Sequence, residues 1–472
     1  MADSHPADGP LVAPPPIAGR ASSGSSYTRN LPPRDLTAQS SKTEPIAPNR
    51  KVIIAASIGT FIEYFDLVLY GALAAIMATV FFAGEDDVSA LLSTFAVFAL
   101  AFVARPLGGL FWGPLGDRIG RKRVLSTIII VMSVSTALVG LIPSYDSVGV
   151  VAPLALVILR FIQGISAGGE MPGAAVYIVE YAPKHRRAFQ ASFLQMGASS
   201  AMLAGLLVGA ALTATLSHDA LYSWGWRIPF LLALPIGAVG LYIRTKLEET
   251  PVFRAIEEAG ARSQGPVMSL VSSVTGWKLM GRALLFSLPT QLTGYMILTY
   301  MPSFLKKNSG LSATEALLAI SVATVVILVC QPLGGLLADK VGRRPMLFFC
   351  SAGIIIAAYP TFALLLQGGM ALSILALCLL AIPFALASGN QLAASLEIFP
   401  TKVRFTGFAL VLGVAVATLG GTAPYVSTWL VQQTGSLYSP AFYLMLSVLP
   451  ALLIAPFLRE TFRDDLSRND PI

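Results

Sequence analysis

The chain has 472 residues, of which 55% are hydrophobic and 12% are charged. Soluble globular proteins have about 25% charged residues, so a soluble chain of this composition would expose apolar surface and aggregate. The 32 Lys and Arg residues and 25 Asp and Glu residues leave a net charge of +7. The basic residues lie in short clusters between long apolar runs, whereas a nucleic-acid-binding protein concentrates them on one face. The pattern indicates a protein that crosses a membrane many times.

Residues 1–50 predict a disordered cytoplasmic tail, because they are rich in Pro, Ser and Ala. Twelve apolar segments follow, each long enough to cross about 30 Å of hydrocarbon as a helix. The predicted spans are about 52–82, 90–112, 124–143, 150–181, 190–216, 226–245, 282–305, 313–337, 346–367, 370–397, 405–433 and 440–458.

The longest charged connection divides these segments six and six. We therefore predict an all-α polytopic membrane protein with two pseudo-symmetric six-helix bundles, over residues 51–245 and 282–460. A cytoplasmic linker covers 246–281, and a cytoplasmic tail covers 461–472. With both termini cytoplasmic, the inner connections, tails and flanking residues hold 27 of the 32 Lys and Arg residues. This asymmetry predicts that orientation in the cell inner membrane.

Two carboxylates lie near the middle of the first predicted helix. Counting about 1.5 Å per residue from Lys51 puts Glu63 about 18 Å and Asp66 about 22 Å into the membrane. A charge at that depth costs several kcal/mol and normally faces a partner or a water-filled cavity. Thr60, Glu63, Asp66 and Tyr70 fall within about 120° of the helix surface, so we expect this stripe to face the protein interior.

Helices 2 and 4 supply further polar groups to the same half. Helix 2 carries Arg105, and helix 4 carries Arg160, Gln163, Glu170 and Tyr177 within an arc of about 100°. Arg105 has an alternative role as a structural partner of Glu170 or of carbonyl groups at a helix end. Arg160 is expected to act in substrate binding or coupling.

The first-half interior thus combines three acids with two arginines. Because arginine stays protonated, only a carboxylate can change charge, and its pKa rises on burial and falls beside an arginine. This is the chemistry of a proton-coupling site. The candidates for that role are Glu63, Asp66 and Glu170.

An internal repeat joins the second helix of each half to the third. GPLGDRIGRKR at 113–123 corresponds to GLLADKVGRRP at 335–345, with matching residues 222 positions apart. The glycines permit a tight turn, and acid–arginine pairs that break and reform at modest energy suit a latch between halves. The alternative is that the basic residues only anchor the loops to lipid headgroups. The gating candidates are Gly113, Asp117, Arg118, Gly120, Arg121, Asp339, Gly342 and Arg343.

No motif for catalysis, a metal or a cofactor is convincing. The cysteines 330, 350 and 378 lie in apolar runs without a Cys-x-x-Cys spacing. Gly164–Gly168 fits the hydrolase pattern Gly-x-Ser-x-Gly, but it lies in a membrane helix without a histidine partner. There is no Gly-x-x-x-x-Gly-Lys-Ser/Thr loop for ATP. We therefore predict a protein that is not an enzyme and uses no cofactor, with a proton gradient as its driving force.

Several motifs resemble one transporter family. They are GTFIEYFDLVLYG (59–71), ARPLGGLFWGPLGDRIGRKR (104–123), RFIQGISAGGE (160–170), WGWRIPF (224–230), LEETP (247–251) and LEIFPTKVR (396–404). Over residues 51–460 the chain resembles the metabolite:proton symporter family of the major facilitator superfamily. SYDSVGVVAP (144–153) and LTYMPSFL (298–305) are most similar to its proline/glycine-betaine branch.

The resemblance implies a cavity lined by helices 1, 4, 7 and 10, with substrate bound between two rocking bundles. In the second half a single polar side chain can alternatively bridge two helices. The implied substrate-binding candidates are Arg160, Gln163, Arg105, Tyr64, Tyr70, Gln291, Tyr295, Asn390 and Gln391.

The resemblance also implies proton-coupled import of a small carboxylate-bearing metabolite, with proline or glycine betaine as the favoured substrates. An arginine is the expected partner of the substrate carboxylate. The alternatives are symport of an organic anion (2-oxoglutarate, citrate, shikimate or an aromatic acid), a uniporter or exporter of the same fold, and a membrane sensor. The expected partners are the substrate, protons and the lipid bilayer, and not nucleic acid. The sequence does not determine the oligomeric state.

Overall fold

The computed structural model describes residues 50–84, 86–108, 111–112, 121–245, 270–400 and 403–464. Within these ranges the chain forms helices, turns and bends without a β-strand, as expected for an all-α protein. The predicted N-terminal tail up to residue 49 and the linker residues 246–269 lie outside the described residues.

The helices of the first half belong to the predicted N-terminal bundle. They are α1 Arg50–Ala72, α2 Ala74–Phe81, α3 Asp87–Val103, α4 Arg121–Leu141, α5 Val151–Ala167, α6 Glu170–Tyr181, α7 Arg187–Thr215 and α8 Ala233–Thr245. Short helices connect them at Tyr145–Val148, Lys184–Arg186, His218–Ser223, Gly225–Arg227 and Ile228–Leu231.

The second half continues the series. Its helices are α9 Val274–Tyr295, α10 Met301–Asn308, α11 Ala313–Val341, α12 Arg343–Gln367, α13 Met370–Glu397, α14 Arg404–Ala415, α15 Ala423–Thr434 and α16 Ser439–Ile454. Two π-helical turns, Met296–Tyr300 and Val416–Gly420, join α9 to α10 and α14 to α15. A short helix, Ala455–Phe457, follows α16.

The described chain contains nine helices that are long and apolar enough to cross a membrane, or ten if the bent pair α1–α2 counts as one crossing. That pair bends by 69°. Ser126–Leu141 is a shorter apolar helix. Many large apolar side chains point outward, among them Ile356 and Leu446, which are 73% and 70% exposed. Such a surface suits lipid rather than water. The number of twelve crossings stays a prediction.

Local signals place several helix ends. Ser312 and Glu315 form a reciprocal capping box, with the Glu315 N–H donating to Ser312 Oγ and the Ser312 N–H donating to the Glu315 carboxylate. At the start of α3, hydrogen bonds from Ser89 hold the pKa of the Asp86 carboxyl below its usual value. α9 begins at Val274, inside the predicted linker range, because Ser273 caps it by accepting from Thr275 N–H.

Glycines allow several helices to approach at backbone distance. Gly164 on α5 lies against the backbone of Ala101 on α3. Gly335 on α11 lies against the backbone of Ala188 on α7, which joins the two halves. A side chain at either position would overlap with the facing backbone, so these contacts set the spacing of the helices around the interior.

We expect Gly164→Ala to destabilise the protein by about 1–3 kcal/mol, because its methyl group would overlap with the Ala101 carbonyl. Thermal unfolding in detergent measures the change. Gly281→Ala is the matched control, since nothing lies within 4 Å of the added carbon and alanine favours a helix by up to about 1 kcal/mol. Equal melting temperatures for the two variants would contradict the close approach of α3 and α5.

Candidate functional site

A cavity lies among α1, α3, α4 and α5. Its apolar lining consists of Leu67, Phe98, Ala101, Phe102, Met132, Gly164 and Ala167. Its polar lining consists of Glu63, Asp66, Arg105, Arg160 and Gln163. Five predicted site residues from three separate helices thus surround one cavity.

Two buried ion pairs cross this cavity. Arg105 Nη2 lies 2.7 Å from Glu63 Oε1, and Arg160 Nη1 lies 2.6 Å from Asp66 Oδ2. Glu63 and Asp66 are 4% and 3% exposed, so the carboxylate stripe of α1 faces the protein interior. The described partner of Arg105 is Glu63, and not the alternative partner Glu170. Arginine stays charged in both pairs, and each carboxylate can be neutralised by one proton.

Hydrogen bonds hold the pair at Asp66 in place. Gln163 Nε2 donates to Asp66 Oδ1 at 3.2 Å and to Thr136 Oγ1 at 2.7 Å. The Arg160 guanidinium lies over the Tyr70 ring, 4.0 Å from its centroid, and the Tyr70 hydroxyl donates to the Thr94 carbonyl. Thr136 was not predicted, because a lone threonine in an apolar helix carries no signal of its contacts.

Several buried polar atoms of the cavity have no hydrogen-bond partner among the described residues. They are Glu63 Oε2, Arg105 Nε, Arg160 Nε, Arg160 Nη2 and Gln163 Oε1. A buried polar atom without a partner costs about 1–3 kcal/mol, more when it is charged. Positively charged donors, a carboxylate oxygen and an amide oxygen can therefore bind a polar ligand or water.

Glu170 and Tyr64 lie beside the cavity rather than in its lining. Glu170 is 5% exposed at the start of α6 and interacts electrostatically with Glu63. The Tyr64 hydroxyl donates to Met171 Sδ at 3.3 Å. Glu170 therefore adds a third carboxylate next to the two ion pairs.

Of the four candidates in the second half, only Tyr295 reaches this region. Its ring contacts Phe102 edge to face, with centroids 5.1 Å apart. Asn390 Nδ2 donates to the Arg343 carbonyl at 3.0 Å, and Gln391 Nε2 donates to Ser287 Oγ at 3.2 Å. These two amides bridge helices, which was the alternative for them. Gln291 is partly exposed and does not line the cavity.

The second copy of the repeat, which was predicted to act as a latch, contacts the first half. Asp339, at the end of α11, accepts hydrogen bonds from the backbone N–H groups of Ala188 and Phe189 at 3.1 and 2.9 Å. These donors open α7, where the helix dipole favours an anion. Gly342 follows with a φ of +114°, a conformation that favours glycine.

Arg343 is the centre of this predicted latch. It is 1% exposed, donates to both oxygens of Glu397 at 3.0 and 2.8 Å, and donates to Asp339 at 2.8 Å. The Glu460 carboxylate accepts from the backbone N–H of Arg343 at 2.9 Å. Arg187 of the first half lies 3.7 Å from Glu397. Glu397 and Glu460 were not among the predicted site residues, although Glu397 belongs to the quoted motif at 396–404.

The first copy of the repeat is not described in the same detail. Gly113, Asp117, Arg118 and Gly120 lie outside the described residues, and α4 begins at Arg121. The halves also meet at the opposite end of the helices, where Thr314 Oγ1 donates to Thr213 Oγ1 at 2.9 Å. Contacts between the halves therefore exist at both ends of the bundle.

The chain matches the family model of the Major Facilitator Superfamily over residues 56–423. It is 37% identical over 429 residues to the glycine betaine/proline/ectoine/pipecolic acid transporter OusA of Dickeya dadantii, covering 89% of this chain and 85% of that protein. Similarity to the proline/betaine transporter of Escherichia coli K12 is also 37%, over 89% and 86% of the two chains. The ectoine/proline transporter ProP of Corynebacterium glutamicum is 34% identical over 92% and 89%.

Among solved structures, a D-xylose-proton symporter superposes with a TM-score of 0.70 at 22% identity, covering 87% of this chain and 98% of that one. A partially occluded inward-open xylose transporter XylE from Escherichia coli gives 0.69 at 22% identity, covering 87% and 98%. These structures share the fold. The family, the fold and the branch expected from the motifs are thereby confirmed. The protein is a multi-pass membrane transporter and not an enzyme, and it belongs to the major facilitator superfamily, in the branch of the proline/betaine transporters.

Proposed function

We propose that this protein imports a small zwitterion, such as proline or glycine betaine, together with protons. The names of the relatives support the substrate class, since they include proline, betaine and ectoine transporters. The charges of the cavity support it as well. The cavity contains two guanidinium groups that can bind a carboxylate once they are released from their ion pairs.

One observation carries the coupling: both arginines of the cavity are paired with carboxylates that sit on one helix. A proton that neutralises Glu63 or Asp66 weakens its hold on the arginine, which then becomes available to the substrate carboxylate. Proton and substrate are thereby bound together, with Glu170 as a further acceptor nearby. Rocking of the two halves then releases both on the other side.

The proposed location is the inner membrane, with both termini in the cytoplasm. The latch then lies on the cytoplasmic side, near the Lys- and Arg-rich connections. The first and second halves act as the two rocking bodies, and the latch at Asp339 and Arg343 closes the cytoplasmic end. When the latch opens, the cavity becomes accessible from the cytoplasm.

Proteoliposomes with an imposed pH gradient test the proposal. The wild type is expected to accumulate labelled proline or glycine betaine against its gradient only when the outside is more acidic. Glu63→Gln and Asp66→Asn mimic the protonated groups, so they are expected to lose accumulation and to retain binding. Glu315→Gln is the matched control, because Glu315 is an exposed carboxylate outside the cavity and glutamine also completes a capping box.

Three outcomes would contradict the proposal. Wild-type uptake that ignores the pH gradient would indicate a uniporter. Proton-driven uptake of labelled 2-oxoglutarate, citrate or shikimate without uptake of proline or betaine would indicate an anion symporter. Proton-driven accumulation that survives in both carboxylate variants would remove Glu63 and Asp66 from the coupling mechanism.

A further inference from the structure

The wall of the cavity that α3 contributes is aromatic. Phe98 and Phe102 are one helical turn apart, both line the cavity, and their ring centroids lie 5.0 Å apart in an edge-to-face arrangement. Tyr295 approaches from the second half, with its ring centroid 6.5 Å from that of Phe98 and 5.1 Å from that of Phe102. The coupling mechanism gives these three rings no role.

A cation already occupies the face of one of these rings. Arg105 Cζ lies 4.5 Å from the centroid of Phe102, as Arg160 Cζ lies 4.0 Å from the centroid of Tyr70. A cation within about 6 Å of a ring centroid is attracted by the negative face of the ring. Phe102 therefore presents a face, and not only an edge, to the charged part of the cavity. Substituted ammonium ligands bind to aromatic faces in the same way.

Atoms without partners mark where a proton and a carboxylate can bind in the same cavity. Glu63 Oε2 is buried without a hydrogen-bond partner among the described residues, and Glu63 holds the arginine that covers Phe102. Arg160 Nε and Nη2 are likewise without described partners, and together they can receive a carboxylate. Glu63 and Asp66, which hold the two arginines, are separated by about 4.5 Å along α1. A zwitterion with one carbon between its charged groups can span a distance of this order.

We propose that Phe98, Phe102 and Tyr295 form a subsite for the substituted ammonium group of a zwitterion, whose carboxylate binds the free edge of Arg160. This inference rests on the proposed function and specifies how the cavity separates zwitterions from simple carboxylates. Neutralisation of Glu63 releases Arg105 from the face of Phe102. The ammonium group of the substrate then takes the position that the guanidinium leaves.

A pair of isosteric ligands tests the subsite. Glycine betaine and tert-butylacetate share shape and carboxylate, but only betaine carries the positive nitrogen. Each competes with labelled glycine betaine for binding to the purified protein. In Phe98→Leu and Phe102→Leu we expect the half-saturating concentration of betaine to rise about tenfold and that of tert-butylacetate to change less than about twofold.

The matched control is Phe95→Leu, since Phe95 is fully buried on the same helix and does not line the cavity. Fluorinated phenylalanines at position 102 provide a second series that keeps the ring shape and withdraws charge from its face. Betaine affinity should fall stepwise with the number of fluorine atoms while the melting temperature stays constant.

The outcomes distinguish the subsite from the proposed function. Equal shifts for both ligands in the leucine variants, or no dependence on fluorination, would overturn the aromatic subsite even if the wild type imports betaine with protons. A wild-type protein that neither binds nor imports betaine or proline would instead refute the proposed function.

Discussion

Arg160→Gln is expected to reduce uptake at least about 100-fold. The substitution removes the buried countercharge of Asp66 and the group proposed to donate hydrogen bonds to the substrate carboxylate. Arg160 and Asp66 are 2% and 3% exposed and lie 2.6 Å apart. Removing one member of such a pair leaves the other charge buried and costs about 3–5 kcal/mol of stability. Arg160→Lys should also fail, since a single ammonium group does not replace the planar fork of arginine.

A double-mutant cycle separates folding from function. Adding Asp66→Asn to Arg160→Gln removes the uncompensated charge, so the melting temperature should recover by most of the loss while uptake stays low. Uptake is measured as exchange between equal substrate pools, which does not depend on the proton gradient. Arg459→Gln is the control, because the Arg459–Asp464 pair is exposed and contributes about 1 kcal/mol or less. Normal exchange in the single variant would exclude Arg160 from the substrate site.

The second large effect is expected in the latch. Arg343→Ala leaves Asp339 and Glu397 buried without their guanidinium, at a cost of about 3–5 kcal/mol. Because Asp339 also accepts from the backbone of α7, the contact between the halves should weaken. We expect the population to shift toward conformations that are open at this end of the helices. Arg344→Ala is the matched control, since the Arg344 side chain is exposed.

Spin labels measure this opening. His185 belongs to the first half and Lys340 to the second, and both are exposed near the latch. With labels at His185→Cys and Lys340→Cys, and with the three natural cysteines replaced, Arg343→Ala should broaden the distance distribution and add longer distances. An unchanged distribution in Arg343→Ala, identical to that of Arg344→Ala, would show that the latch does not hold the halves together.

The interior stripe of α1 could be predicted because a membrane helix limits where charge can lie. At about 100° per residue, Glu63 and Asp66 share one face, and an apolar surrounding leaves only the interior for them. The structure confirms that face. The identity of each partner could not be predicted, since it depends on how α1, α3 and α5 cross. For Arg105 the sequence left open a substrate role or a pairing with Glu170 or a helix end, and the structure pairs it with Glu63.

The partners of the polar residues in the second half could not be predicted from the sequence either. Asn390 and Gln391 are polar residues in an apolar helix, which is equally consistent with a substrate site and with a bond between helices. In the structure they donate to the Arg343 carbonyl and to Ser287 on neighbouring helices, and the substrate role stays a prediction. Phe98 and Phe102 carried no sequence signal, because phenylalanine is common in every membrane helix. Their proposed role follows only from the guanidinium that lies over Phe102 and from the cavity that both rings line.

By itself the sequence determined the membrane class, the helical fold, the family and the charged face of the first half. Each of these depends on composition, on local periodicity or on motifs that are contiguous in the chain. Only the tertiary structure decided which charges pair and which residues form the predicted latch. There Glu397 and Glu460 contact Arg343, although they lie 54 and 117 residues away along the chain. Pairing of this kind depends on distances of a few ångströms between separate helices, and no local pattern in the sequence encodes those distances.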